Sequence, residues 1–259
     1  MKKVTDYLGR NVNFHYPPQR IVSFAPAITD TLYSLGLDTE IVGRTRFCIH
    51  PKGKVEKAIN VGGTKDMKIE RVQALTPDIV ITEKEENTKE MVEELEKFVP
   101  VYVFEIQTVE DALKMIVDLG RLIDRSKEAI ELKQKIVTAF EKIPVLDVKK
   151  RIAYVIWKNP YMVVGKNTYI QSLLQRLGFE NPFIEFEGRY PSVTEEDLRA
   201  ANLDYLLLAT EPYPFREKHK QEFSDIAPGA NLKIVNGEMF WYGVKMLDAA
   251  KYFKEELLR

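Results

Sequence analysis

The chain has 259 residues, 45% hydrophobic and 30% charged, with a formal net charge of −1. That length buries a large core in one big domain or two lobes, and the balanced charge gives no reason to expect nucleic acid or an anionic membrane as partner. A single cysteine excludes an intrachain disulfide framework. No apolar run approaches the ~20 residues that span a bilayer, and the opening MKKVTDYLGRNVNF lacks the apolar core of a signal peptide. The chain as written therefore stays in the cytoplasm or follows a leader that has been removed.

In chain order, RIVSFA (Arg20–Ala25) reads as a buried strand. PAITDTLYSLGL follows as a helix with Ile28, Leu32 and Leu35 on one face, ended by Gly36. EIVGRT is a short strand, and IERVQALT a helix stopped by Pro77 before the strand Asp78–Thr82. ENTKEMVEELEKF is a charged helix and VPVYVFE the next strand. From Val109 to Ile143 the pattern is helical, with breaks expected at Gly120 and at the DRS stretch; Pro144 ends it. The second half then repeats the first. KKRIAYVIW follows PQRIVSFAP, SLLQRLGF follows DTLYSLGL, and EEDLRAANLDYLLL follows IERVQALTPDIVI. In the last match Glu70 with Glu196 and Asp78 with Asp204 are each 126 residues apart. The expectation is two similar α/β lobes with mostly parallel sheets, residues 1–124 and 145–259, bridged by one long helix at 125–144, with a ligand cleft between the lobes.

Enzyme signatures fail on inspection. VVGKNT lacks the first glycine of a P-loop and carries Asn167 where a magnesium-binding hydroxyl is needed, so it reads as a turn into a helix. There is no G-x-S-x-G, H-E-x-x-H or C-x-x-C. The run EKEENTKEMVEELEK reads as a solvated helix face. Cys48 and His50 lie two apart, taken here as strand positions; His15 and His219 sit too far off in the pattern to complete a zinc site. The plain reading is a buried cysteine and a half-exposed histidine, with ligand contact by His50 as the functional one. Aromatics gather at strand ends: Trp157 and Tyr161 around KNP, Tyr190 in EGRYPSVT, and Trp241 and Tyr242 in MFWYG. Most such aromatics only pack, but these clusters point to a flat, partly apolar ligand.

The stretch DYLGRNVNFHYPPQRIVSFAPAITDTLYSLGLDTEIVGRTRFCIHP resembles the opening of the class III periplasmic binding proteins, the helical-backbone substrate receptors of ABC importers for cobalamin, haem and iron–siderophores. VGGTKDMKIERVQALTPDIVI, NPYMVVGKNTYIQSLLQRLG, YPSVTEEDLRAANLDYLLL and AAKYFKEEL fit the same pattern in order, over nearly the whole chain. The resemblance is closest to the cobalamin receptors. It implies two lobes on a backbone helix, little movement on binding, and a ligand in the cleft. Phe47 and His50 fall where those receptors place aromatics, and Tyr190 where they place a second-lobe aromatic. Thr64 departs from the pattern by replacing an aromatic, and Trp241 stands near the C-terminal contact loop. Glu70 and Glu196 match the surface glutamates that dock such receptors onto arginine pockets of the permease.

These readings lead to a non-enzymatic, monomeric receptor for a metal-chelate, preferably a corrinoid, without a catalytic cofactor. Phe47, His50, Trp157, Tyr190, Trp241 and Tyr242 would line the site, and Thr64, Lys65 and Arg189 would orient the ligand's side chains. His50 could serve as an axial ligand to its metal, since neutral imidazole suits cobalt and iron. By resemblance the protein is periplasmic or cell-surface and meets an ABC permease. The alternatives are a haem or ferric-siderophore receptor, to which Arg44, Arg46 and Arg189 would suit anionic ligands, and a cytoplasmic tetrapyrrole-handling protein.

Overall fold

The computed structural model describes residues 1–144, 146 and 148–258; Val145 and Arg259, the ends of the expected second lobe, lie outside the described residues. The chain divides into two compact units, the first made of Met1–Ile106, Glu110–Val137 and Gly243–Lys245, the second of Gln107–Val109, Thr138–Tyr242 and Met246–Arg259.

The first unit opens with an antiparallel hairpin, β1 (Lys2–Thr5) and β2 (Asn11–Phe14). Then come β3 (Ile21–Ser23), α1 (Pro26–Ser34), β4 (Ile41–Arg44), β5 (Ile59–Asn60), α2 (Ile69–Ala74), β6 (Ile79–Glu83), α3 (Lys89–Glu96) and β7 (Val101–Phe104). β3 to β7 form one parallel sheet in the order β5-β4-β3-β6-β7. Strands buried on both faces read as near-continuous apolar runs rather than alternating ones; β6 and β7 are buried at every position, with Thr82 and Glu83 the polar residues at the end of β6. Pro26 starts α1, where its missing N–H costs no helical bond, and the Thr88 hydroxyl caps α3 by accepting the Met91 N–H at 3.3 Å. Val22, Phe24, Val61, Val72, Val80 and Leu95 form the core.

α4 (Val109–Leu122) and α5 (Ser126–Glu141) follow. The break lies at the expected DRS stretch, where Asp124 has φ +61°, whereas the expected role of Gly120 is corrected: α4 runs through it. Gly120 instead permits a close approach. A Cβ there would lie 2.3 Å from that of Ala129 and 2.8 Å from the Arg125 carbonyl oxygen. The first unit ends along α5, after Val137.

The second unit holds β8 (Lys150–Trp157), β9 (Tyr161–Val163), α6 (Tyr169–Arg176), β10 (Phe179–Glu180), β11 (Ser192–Val193), α7 (Glu195–Ala200), β12 (Tyr205–Ala209), α8 (Lys220–Ile226), β13 (Asn231–Val235) and α9 (Met246–Tyr252). Its sheet runs β11-β9-β8-β12-β13, with β10 beside β8; β9 pairs antiparallel with both β8 and β11, and the remaining pairings are parallel. The turn read from VVGKNT is present: Asn167 has φ +56°, and the Thr168 hydroxyl accepts the Gln171 N–H to cap α6. Thr194 and Asp197 form a capping box on α7.

The internal repeat is visible in detail. α2 and α7 share their bounds at a spacing of 126 residues, as do β6 and β12, and Val72 and Leu198 are both fully buried beneath the two helices. Thr76 (φ +42°) and Asn202 (φ +47°) make the same left-handed turn after each helix. The Asp78 carboxylate accepts the Arg20 backbone N–H at 3.0 Å, and Asp204 accepts that of Arg151 at 2.8 Å. The Arg20 guanidinium donates to the Leu75 carbonyl, and that of Arg151 to Ala201, again 126 residues on. One carboxylate and one guanidinium thus fasten the central strand of each sheet to the helix beside it.

Candidate functional site

In each unit the chain starts in the middle strand and lays later strands on both sides, so the direction of winding reverses beside β3 and beside β8. Ligands of open α/β sheets bind outside the carboxyl ends of strands at such points, because the loops there diverge and leave a crevice.

In the first unit, Thr45–His50 leaves β4 as a series of turns, not as the strand assumed for Cys48 and His50. Cys48 is buried, with its sulfur 3.1 Å from the Thr29 hydroxyl and 3.2 Å from that of Thr45. Burial raises its thiol pKa, so it stays a protonated packing group. His50 is half-buried, and Phe47 stands 47% exposed. The Arg46 guanidinium lies 4.7 Å from the Phe47 ring centre and makes a two-point ion pair with Asp66 at 2.7 and 3.0 Å. Arg46 is thereby matched with a carboxylate, as sequence reading did not foresee for residues 20 positions apart. Thr64 is half-buried and Lys65 exposed, and the Thr64 carbonyl accepts the Asn87 side-chain amide at 2.8 Å.

Glu83, at the end of β6, was read as part of a solvated run. The structure corrects this: it is 2% exposed. Its carboxylate accepts the backbone N–H groups of Glu85 (2.7 Å), Glu86 (3.0 Å) and Ile106 (3.3 Å), while Asn87 also reaches the Phe24 carbonyl. This turn joins the loops that follow β3, β5, β6 and β7. Burial outweighs the three hydrogen bonds and pushes the Glu83 carboxyl up to about 7.

In the second unit, Trp157 ends β8 and is 40% exposed, its ring edge-on to Tyr213 at 5.6 Å. Trp241, half-buried, donates its indole N–H to the Glu211 carboxylate at 2.6 Å. Gly237 makes room for that carboxylate: a Cβ there would sit 2.3 Å from the Glu211 Cγ. Tyr242 packs edge-on to Tyr169 at 5.8 Å. Arg189 and Tyr190, both half-buried, lie beside Gly165, whose N–H donates to the Arg189 carbonyl at 2.8 Å. The loop after β12, with Glu211 and Tyr213, thus touches both tryptophans; its signal in the sequence was an acidic-aromatic EPYPF directly after an apolar strand.

His15 is exposed, and His219 is buried with Nδ1 accepting the Arg216 N–H at 2.9 Å. Among the described residues no group of three His, Cys, Asp or Glu side chains could hold a metal ion, and no helix is long and apolar enough to cross a membrane. A groove of about 690 Å³ on the first unit, along Tyr7, Lys114 and Asp118, lies away from the strand ends, and its charged groups pair with one another.

A model of the family described as "Periplasmic binding protein" matches residues 21–227. The chain belongs to the periplasmic binding protein family. Among curated relatives, it is 29% identical over 189 residues to the vitamin B12-binding protein of Vibrio parahaemolyticus, covering 70% of this chain and 67% of that one. Two solved structures share the fold. The periplasmic vitamin B12-binding protein BtuF of Vibrio cholerae superposes with TM-score 0.71 at 17% identity, covering 91% of this chain and 94% of that one. The periplasmic heme-binding protein HutB of Vibrio cholerae superposes with TM-score 0.77 at 18% identity, covering 93% and 99%. In this periplasmic binding protein, Glu70 and Glu196 are exposed second residues of α2 and α7, equivalent positions of the repeat.

Proposed function

We propose that this protein is the substrate-binding receptor of an ABC importer and carries a metal-chelate of the corrinoid class, without catalysing its conversion. The observation that carries the reading is the exposure of Phe47 and Trp157, large aromatics at 47% and 40% on strand-end loops, where an unliganded apolar surface costs solubility unless a ligand covers it. The vitamin B12-binding names of its curated relatives favour a corrinoid among the chelates. Phe47, Trp157, Tyr190, Trp241 and Tyr242 supply stacking surface in this reading. His50 stands as a candidate axial ligand, while Thr64, Lys65 and Arg189 orient the ligand's side chains. Glu70 and Glu196 dock the receptor on its permease, which places the working protein outside the cytoplasmic membrane.

The test is a titration with cyanocobalamin, cobinamide and haemin, followed by tryptophan fluorescence and visible spectra. Saturable quenching by the corrinoids is expected, with loss on Trp157→Ala. A shifted Soret band with inert corrinoids would replace the corrinoid by haem, and silence from all three would overturn the chelate reading. A corrinoid spectrum unchanged by His50→Ala would remove the axial role.

A further inference from the structure

Glu211 is an unusual residue to find fixed at a strand end beside aromatic surface. It sits two residues past β12, half-buried, and its surroundings are built around it. The Trp241 indole donates to its Oε1 at 2.6 Å; Gly237 leaves the space its Cγ and Cδ occupy; and the Gly237 N–H donates to the neighbouring Thr210 hydroxyl at 3.1 Å. Tyr154, buried and edge-on to Phe240 at 4.6 Å, has its pKa raised chiefly by burial and secondarily by the Glu211 charge. The loop that carries it is pinned on its other side, where the Tyr213 N–H donates to the Ile156 carbonyl at 3.3 Å and the Tyr213 ring meets Trp157. The result is a carboxylate set on a rigid aromatic shelf formed by the loops after β8, β12 and β13.

We propose that the Glu211–Trp241 pair selects the chemical class of the ligand: it admits macrocycles rimmed with amide N–H donors and turns away those rimmed with carboxylates. This rests on the metal-chelate reading above. The two classes present the same flat apolar face to an aromatic shelf, so stacking cannot tell them apart. A fixed carboxylate can. It accepts a hydrogen bond from an amide at the ligand's edge, and it repels a propionate-type carboxylate brought into the same half-desolvated place. Discrimination by an unfavourable charge contact is stronger than by a missing methylene, since the penalty falls on the wrong ligand alone. Glu211 acts partly through Trp241, whose ring plane it fixes, and is in that respect a positioning residue.

The experiment compares cyanocobalamin and haemin binding to the full chain and to two variants, Glu211→Gln and Trp241→Phe, at low and high salt. Glu211→Gln keeps one acceptor for the indole, removes the charge and turns the second oxygen into an amide donor. It is expected to weaken cyanocobalamin about tenfold through the lost acceptor, to strengthen haemin binding about tenfold at low salt, and to strengthen haemin less than that at high salt. Trp241→Phe retains the carboxylate and is expected to weaken cyanocobalamin while haemin stays excluded. An unchanged haemin-to-cobalamin ratio in Glu211→Gln, or an equal loss of both ligands, would overturn the proposal while the chelate reading stands. Wild-type protein that binds neither would overturn both.

Discussion

Glu83 makes a prediction whose sign depends on which of two opposing effects wins. Three backbone N–H groups favour its carboxylate, while burial to 2% exposure favours the neutral acid. With burial ahead, its value moves from 4.5 to about 7. Between those values the native protein holds a proton that the unfolded chain has already released. Stability contributed by this group is therefore complete below pH 4.5, falls as pH rises through the window, and levels off above about 7. A carboxyl shifted that far accounts for about 3 kcal/mol across the window. At 2–4 °C per kcal/mol for a protein of this size, that is about 8 °C in the melting temperature of the first unit. The assay is calorimetric melting of wild type and Glu83→Gln from pH 4.5 to 8. The variant removes the titration, and the difference between the two curves cancels the other carboxylates, such as Asp204 and Asp197, whose values are lowered by hydrogen bonds. The variant should gain on the wild type by about 8 °C between pH 5 and pH 8. Parallel curves would refute the reasoning, because they would mean that the three N–H donors keep the buried carboxylate ionised throughout.

Asp78→Ala and Asp204→Ala each remove the acceptor that fastens a central strand, and each should cost about 1–3 kcal/mol in urea unfolding, of similar size because the two sites repeat. Gly120→Ala should cost about 1–3 kcal/mol through its clash with Ala129, and adding Ala129→Gly should recover part of the loss; an additive double variant would place the strain elsewhere. Glu70→Ala and Glu196→Ala should leave ligand titrations unchanged yet each lower receptor-stimulated ATPase activity of the reconstituted importer; unchanged stimulation would remove the docking role.

Much of the fold was legible because burial imposes a period that the sequence must carry. β7 is a continuous apolar run and β6 opens on one, α2 and α7 each bury a single residue, Val72 and Leu198, and their shared spacing survives to the residue. The helix break falls at the DRS stretch, as expected, but Gly120 takes no part in it, because a glycine looks the same in sequence whether it ends a helix or lets another element come close. Glu83 was hidden for a related reason: it begins a run of acidic residues, and only the sheet register reveals that it still belongs to β6. The candidate site was legible in part. Strand-end aromatics such as Phe47 and Trp157 could be found by position, but their partners could not. Arg46 with Asp66, Trp157 with Tyr213 and Trp241 with Glu211 are joined by loop geometry, which leaves no periodic trace.

The repeat also separates what supports the scaffold from what faces a ligand. At a spacing of 126 residues the fastening groups keep their chemistry: Asp78 and Asp204 accept the same kind of bond, Leu75 and Ala201 offer the same carbonyl, and Thr76 and Asn202 take the same turn. At the same spacing the strand-end loops diverge. Gly63 corresponds to Arg189 and Thr64 to Tyr190, a small, polar pair in one unit and a large, cationic and aromatic pair in the other. Stability requires both units to solve one packing problem alike, whereas loops that carry function are free to differ. Thr64→Trp should therefore alter which chelate is preferred more than how stable the first unit is; a variant that melts lower with unchanged preference would count against that division.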